Sequence, residues 1–215
     1  VALSWQEQSE ISSITKTPQL DLGLASVNTR LNVSLGQDRW VLFVWGPKLG
    51  PAVLFWGVLV VIIILAIGLG KVPLTPLKHW HWFLLLLGLS QVPMESACLV
   101  VAWLMILGWR GLRQNNNFKY FNFLQVIIGM FTLFSLAILV FAVEQGLLGG
   151  SPDMQITGNQ SSAFNLNWYQ DRSAATLLQA TVISVPLLAY RIAMLFWSFW
   201  LAASLLNWLK WGWQC

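Results

Sequence analysis

Glu95 and Arg191 are the side chains of this sequence best placed to do chemistry, because each stands inside an apolar stretch of membrane length. A charge in that setting costs about 3 kcal/mol or more unless it is paired or faces water, so such residues mark functional positions by default. At 1.5 Å per helical residue, Glu95 lies about 21 Å from Trp109 and Arg191 about 25 Å from Trp208. The similar depths predict a buried ion pair, with Ser90, Gln91 and Tyr190 as further hydrogen-bonding groups. Such a pair suits a proton or ion relay, or a site for a polar head group. It equally suits a purely structural role, fixing one helix against another.

Other chemistries find no constellation. His79 and His81 are two residues apart and point to different sides of a helix, with no third ligand nearby, so an interfacial anchor is expected and no metal site. Ser96 has no neighbouring His, Gly-x-Ser-x-Gly is absent, and there is no Gly-rich phosphate loop. Cys98 and Cys215 do not make a disulfide framework. The sequence therefore predicts no catalytic residues, no cofactor and no enzyme activity.

Composition fixes the class. The chain has 215 residues, 57% of them hydrophobic and only 9% charged, with 14 Trp. Soluble domains carry roughly 25% charged residues, so an ordinary water-soluble globule is excluded. The net charge of +4 does not indicate nucleic acid, because the basic residues are scattered among short connections and gather on no single face. The chain begins without Met or a signal-peptide pattern, and the expectation is a processed form or the C-terminal piece of something longer.

The elements that must position these residues follow from periodicity. Val27, Thr29, Leu31, Val33 and Leu35 alternate with polar residues, as a half-buried strand does. A turn at Gly36, Gln37 and Asp38 leads to a second strand, Arg39 to Trp45. A lone hairpin is marginal in water, so its sheet should be completed upstream or by a partner. Residues 1–47 are thus predicted to be an outward-facing β segment, the end of a larger β region, and 48–215 a transmembrane helical domain.

Four apolar runs fill the second region: 50–70, 80–109, 123–143 and 174–208. The first and third have the roughly 20 residues that cross a hydrocarbon core. The second is too long for a straight crossing, and its centre, Ser90-Gln91-Val92-Pro93-Met94-Glu95, is polar and helix-breaking. Arms of about 14 residues suit a re-entrant hairpin. The fourth run carries Pro186, which predicts a kink near mid-helix.

Charge distribution separates a hairpin from a simple crossing. With a hairpin, Lys71, Lys78, Arg110, Arg113, Lys119 and Lys210 share one side with no acid. Glu7, Glu10, Asp21, Asp38, Asp153 and Asp171 then roughly balance Lys16, Arg30, Arg39, Lys48 and Arg172 on the other. A simple crossing moves Arg110, Arg113 and Lys119 across and breaks the positive-inside rule. The expected fold is mainly α and integral to the membrane: three spanning helices plus a re-entrant hairpin, with four spanning helices as the alternative. A periplasmic N-terminal segment and a cytoplasmic C-terminus in a bacterial inner membrane complete the topology.

Trp40, Trp45, Trp80, Trp82, Trp109, Trp168, Trp208, Trp211 and Trp213 fall near predicted boundaries as an aromatic belt. Trp56, Trp103, Trp197 and Trp200 lie deeper and are expected to pack. The connection 151–173 is the longest between membrane elements, and Trp168, Tyr169, Asp171 and Arg172 make it a candidate partner-contact loop. Resting on the N-terminal sheet is the other reading of that loop.

The segments Arg39-Trp-Val-Leu-Phe-Val-Trp-Gly-Pro-Lys-Leu-Gly-Pro-Ala-Val-Leu-Phe-Trp-Gly and Thr75-Pro-Leu-Lys-His-Trp-His-Trp-Phe-Leu-Leu-Leu-Leu-Gly-Leu-Ser-Gln-Val-Pro resemble the C-terminal membrane part of large, uncharacterised proteobacterial inner-membrane proteins. The resemblance implies a β-rich periplasmic region before the helices, and no activity or functional residue comes with it. The expected role is a non-catalytic subunit or anchor that holds the β region, sits in the lipid bilayer and packs against other membrane subunits. The alternative is a transporter or ion- or proton-conducting protein built around the mid-membrane Glu95 and Arg191.

Overall fold

A computed structural model describes residues 12–112, 121–149, 154–177 and 179–214. In chain order the elements are β1 (Ile14–Lys16), β2 (Ser26–Ser34), β3 (Arg39–Trp45), β4 (Ala52–Val53), α1 (Phe55–Leu69), α2 (His79–Leu89), α3 (Met94–Leu112), α4 (Phe121–Leu148), β5 (Ile156–Thr157), β6 (Asn165–Ser173), β7 (Thr181–Pro186) and α5 (Leu187–Gln214). Two compact units result. A β unit takes the described parts of Val1–Phe55 and Asp153–Ala189, and a helical unit those of Trp56–Pro152 and Tyr190–Cys215. Glu7, Glu10, Arg113, Lys119 and Asp153 of the charge count, and Cys215, lie outside the described residues.

The β unit differs from the expected hairpin. β2 and β3 do not pair with each other: β2 pairs antiparallel with β6, Leu31 opposite Trp168, and β3 pairs antiparallel with β7, Trp40 opposite Val185. The sheets read β1-β7-β3, β2-β6 and β4-β5. The missing strands come from residues 156–186, so the β region is not confined to 1–47. Alternation dictates this arrangement. Leu31, Val33 and Leu35 of the first stretch need an apolar face to cover them, and Leu166, Trp168 and Val182 supply it, with Val41, Met154, Ile156 and Ala180 completing the core. Burial of such side chains, at about 1.5–3 kcal/mol each, is what makes the pairing worth its ordering cost.

Trp168 is the centre of that core. It is 2% exposed, and its indole lies against the backbones of Gly46 and Gly50, where a Cβ would overlap it. Arg39 ties two strands together, its Nε donating to Ser184 Oγ at 3.1 Å and its Nη2 to the Ser184 carbonyl oxygen at 3.1 Å.

Among the described residues three helices, α3, α4 and α5, are long and apolar enough to cross a membrane. The number equals the expectation, but the membership does not. α1 starts only at Phe55, because Ala52–Val53 is held as a strand by Ile156–Thr157, and its 15 residues extend about 22 Å. The run 174–208 is likewise divided. Thr181–Pro186 is strand β7, and the helix begins after the proline, so Pro186 causes no mid-helix kink. Its ring simply ends a strand edge and precedes the first helical turn, where a missing N–H is harmless.

The run 80–109 breaks where its sequence turns polar. Ser90 Oγ donates to the Leu87 carbonyl oxygen at 2.7 Å and closes α2, while the Ala97 N–H bonds back to Pro93 at 3.2 Å and opens α3. The arms are unequal, 11 and 19 residues. They form a hairpin all the same: Gly108, near the end of α3, packs against the carbonyl of Leu74, just before α2. Gly70 likewise abuts His79, and Gly212 of α5 meets Leu107 of α3. The end of α1, the start of α2 and the ends of α3 and α5 therefore gather at one end of the helical unit.

Candidate functional site

Glu95 and Arg191 do not form the expected pair. Both are exposed, and no ion pair joins them among the described residues. The reason is axial. From the shared level of Leu107 and Gly212, Glu95 is 12 residues along α3 and Arg191 is 21 residues along α5, a difference of about 13 Å at 1.5 Å per residue. Trp109 and Trp208 are not level, since Gly212, four residues beyond Trp208, is the residue that meets Leu107.

Glu95 has a local explanation instead. Glu95 is in the first turn of α3, where a carboxylate is favoured by about 0.3–1 kcal/mol through the helix dipole. Arg191 is in the second turn of α5, just past the β7 junction. Of the supporting groups, Ser90 and Gln91 stay at the hairpin turn, where Gln91 Nε2 donates to Ser90 Oγ at 3.4 Å. Tyr190 is buried, 7% exposed, near the start of α5 beside Arg191 in sequence.

The candidate contact loop is a strand. Trp168 is core, while Asp171 and Arg172 are exposed on β6. Tyr169 donates its hydroxyl to Asn28 Oδ1 at 2.7 Å, across from a residue held at φ 56°. Hydrogen bonding with Asp171 is the main cause that raises the Tyr169 pKa above its ordinary 10.0; desolvation and the Asp171 charge add to it and Arg30 opposes it.

The Trp residues divide by packing rather than by position in sequence. Trp82, Trp168 and Trp208, expected at boundaries, are buried, whereas Trp80, Trp109 and Trp213 are exposed. Trp103 donates to Thr132 Oγ1 at 2.9 Å, linking α3 to α4, and Trp197 donates to the Leu84 carbonyl oxygen at 2.8 Å, linking α5 to α2. The Trp197 indole lies over Gly88, and Met194 reaches Gly146. Small residues that admit large ones are how helices approach closely without a hydrophobic driving force.

What the fold does assemble is a basic end. Lys71, Lys78, Arg110 and Lys210 belong to the end where α1, α2, α3 and α5 gather, and no described carboxylate accompanies them. Two clefts open there. One, about 550 Å³, lies between α1 and α2 and is lined by Ile63, Ala66, Ile67, Lys78, His79, Trp80 and Phe83. The other, about 300 Å³, lies among α3, α4 and α5 with Arg110, Gln125 and Thr132 as its polar groups. The sequence showed the bases as topology signals; that they share an end with apolar clefts needed the hairpin. His81 Nδ1 accepts the Lys78 N–H at 3.4 Å and its ring leans on Trp200, 6.1 Å between centroids. No three His, Cys, Asp or Glu side chains converge among the described residues.

The chain matches no protein-family model, no curated protein and no solved structure.

Proposed function

We propose that this chain is a non-catalytic membrane subunit whose helices anchor an extracytoplasmic β unit and pack against other membrane proteins. One observation carries the reading: the β unit is built from stretches on both sides of α1–α4, and its strands run directly into helices, β4 into α1 at Phe55 and β7 into α5 at Leu187. An independent globular domain would hang on one linker. Here the fold of the β unit requires the helices to return the chain.

The apolar side chains of α1, α4 and α5 that face outward, among them Val60, Ile64, Leu133, Val140, Phe196 and Phe199, suit hydrocarbon or a partner helix. The basic end supports a cytoplasmic face and a hairpin that enters and leaves there. Met94, Glu95 and Cys98 make an exposed, partly polar patch at the start of α3. A carboxylate is costly against lipid, which favours a protein partner there.

Transport is the second reading, since a broken helix next to an exposed carboxylate is a feature of ion-coupled sites. The separation of Glu95 from Arg191 removes the charge pair on which that reading rested. Native mass spectrometry of the assembly, gently extracted from its own membrane, tests the choice. Stoichiometric membrane partners, retained in Glu95→Gln, are expected; a lone chain with Glu95-dependent ion flux in vesicles contradicts the subunit reading.

A further inference from the structure

We infer that the cleft between α1 and α2 is a binding site for one anionic phospholipid, its acyl chain between the helices and its phosphate at Lys71, Lys78 and His79. This rests on the membrane reading above. Ile63, Ala66 and Ile67, at i, i+3 and i+4 of α1, form one apolar wall, and Phe83 with Trp80 stacked on it at 5.4 Å forms the other. The space, about 550 Å³, is in the range of small-molecule pockets.

Its walls carry no acid, and its polar groups cluster at one end. Gly70 brings the His79 ring directly against the end of α1, so that Lys71, Lys78 and His79 come from one short connection. Lys71 and Lys78 are exposed, and no carboxylate pairs with them among the described residues. Trp80, 71% exposed, has the amphipathic ring that settles at the level of lipid head groups. An apolar slot ending in unpaired cations is complementary to a molecule that joins a hydrocarbon chain to a phosphate. A second copy of this chain is a poorer occupant, since it would bring its own Lys71, Lys78, Arg110 and Lys210 against these.

The test uses the full chain purified in mild detergent and offered phosphatidylglycerol or phosphatidylcholine with identical acyl chains. Retained lipid is counted by native mass spectrometry. The site predicts one retained phosphatidylglycerol in preference to phosphatidylcholine. Lys71→Gln with Lys78→Gln should lower that preference by roughly fivefold per lysine, the worth of one basic group near an anionic surface. The Lys→Arg pair should keep it, and Ala66→Trp should reduce retention of both lipids by filling the slot. Variants are compared only where their melting temperature matches the parent, and Ile67→Trp is the second filling variant if Ala66→Trp unfolds. Equal retention of the two lipids, an unchanged preference in the Gln pair, or a dimer mass that excludes lipid overturns the site. A chain that leaves membranes in alkaline carbonate instead overturns the membrane reading itself.

Discussion

Removing Trp168 should unfold the two halves of the β unit together. Its indole is 2% exposed, shares one buried cluster with Val41, Leu166 and Val182, and lies against Gly46 and Gly50. Trp→Ala at such a site costs about 3–5 kcal/mol, as lost transfer energy plus a cavity. At 1.4 kcal/mol per tenfold, amides that exchange by opening of the whole unit should accelerate between about 150- and 4,000-fold. The assay is hydrogen exchange by mass spectrometry on the full chain in detergent. Peptides from 26–45 and from 156–186 should accelerate together, and peptides from α3 should not. A second variant checks the geometry: Gly50→Ala places a Cβ into the indole and should cost about 1–3 kcal/mol in the parent. In the Trp168→Ala background the same change should be nearly neutral, a coupling readable from the double-mutant cycle. Acceleration restricted to 165–173, or additive costs of the two changes, would refute a shared core.

Other outcomes follow from the same contacts. Gly88→Ala meets the Trp197 indole and Gly108→Ala the Leu74 carbonyl, so both should lower the melting temperature, by about 1–3 kcal/mol of stability, whereas Gly57→Ala and Gly129→Ala enter open space and should not. Glu95→Gln and Arg191→Leu should be additive within about 0.5 kcal/mol in thermal stability, since the two groups are far apart; strong coupling would restore the ion pair. The raised pKa of Tyr169 favours its protonated form in the folded state, so its contribution is present below pH 10.0 and is lost as pH rises through the higher folded value. Melting followed above pH 10 should fall less steeply in Tyr169→Phe than in the parent.

Where apolar periodicity changes sharply, the sequence discloses the structure. The alternation of Thr29, Leu31 and Val33 in β2 and the Ser90–Pro93 break appear where expected, whereas Val27 at the start of the same stretch is exposed. Where it does not change, boundaries are lost. Thr181–Pro186 runs into Leu187 with no polar residue to divide strand from helix but Ser184, and only the β-branched Thr181, Val182, Ile183 and Val185 marked it as a strand. β6 was obscured differently: Asn165, Asn167, Gln170 and Asp171 have loop composition, and Leu166 and Trp168, two apart, were its only inward signal. Strand pairing was illegible because β2 and β6 are separated by the whole of α1–α4, a distance over which local pattern carries no register. The Glu95–Arg191 pairing failed for a similar reason, since relative height depends on how helices slide against one another, as Gly212 and Leu107 show.

Cysteine accessibility tests the anchoring account most directly. In a Cys98→Ala, Cys215→Ala background, single substitutions Asp171→Cys in β6, Lys78→Cys before α2 and Lys210→Cys in α5 are treated in intact cells with a membrane-impermeant maleimide, before and after permeabilisation. The account predicts that Asp171→Cys reacts at once, and that Lys78→Cys and Lys210→Cys both react only once the membrane is opened. Labelling of Lys78→Cys together with Asp171→Cys in intact cells, or of Lys78→Cys and Lys210→Cys on opposite sides, would contradict it.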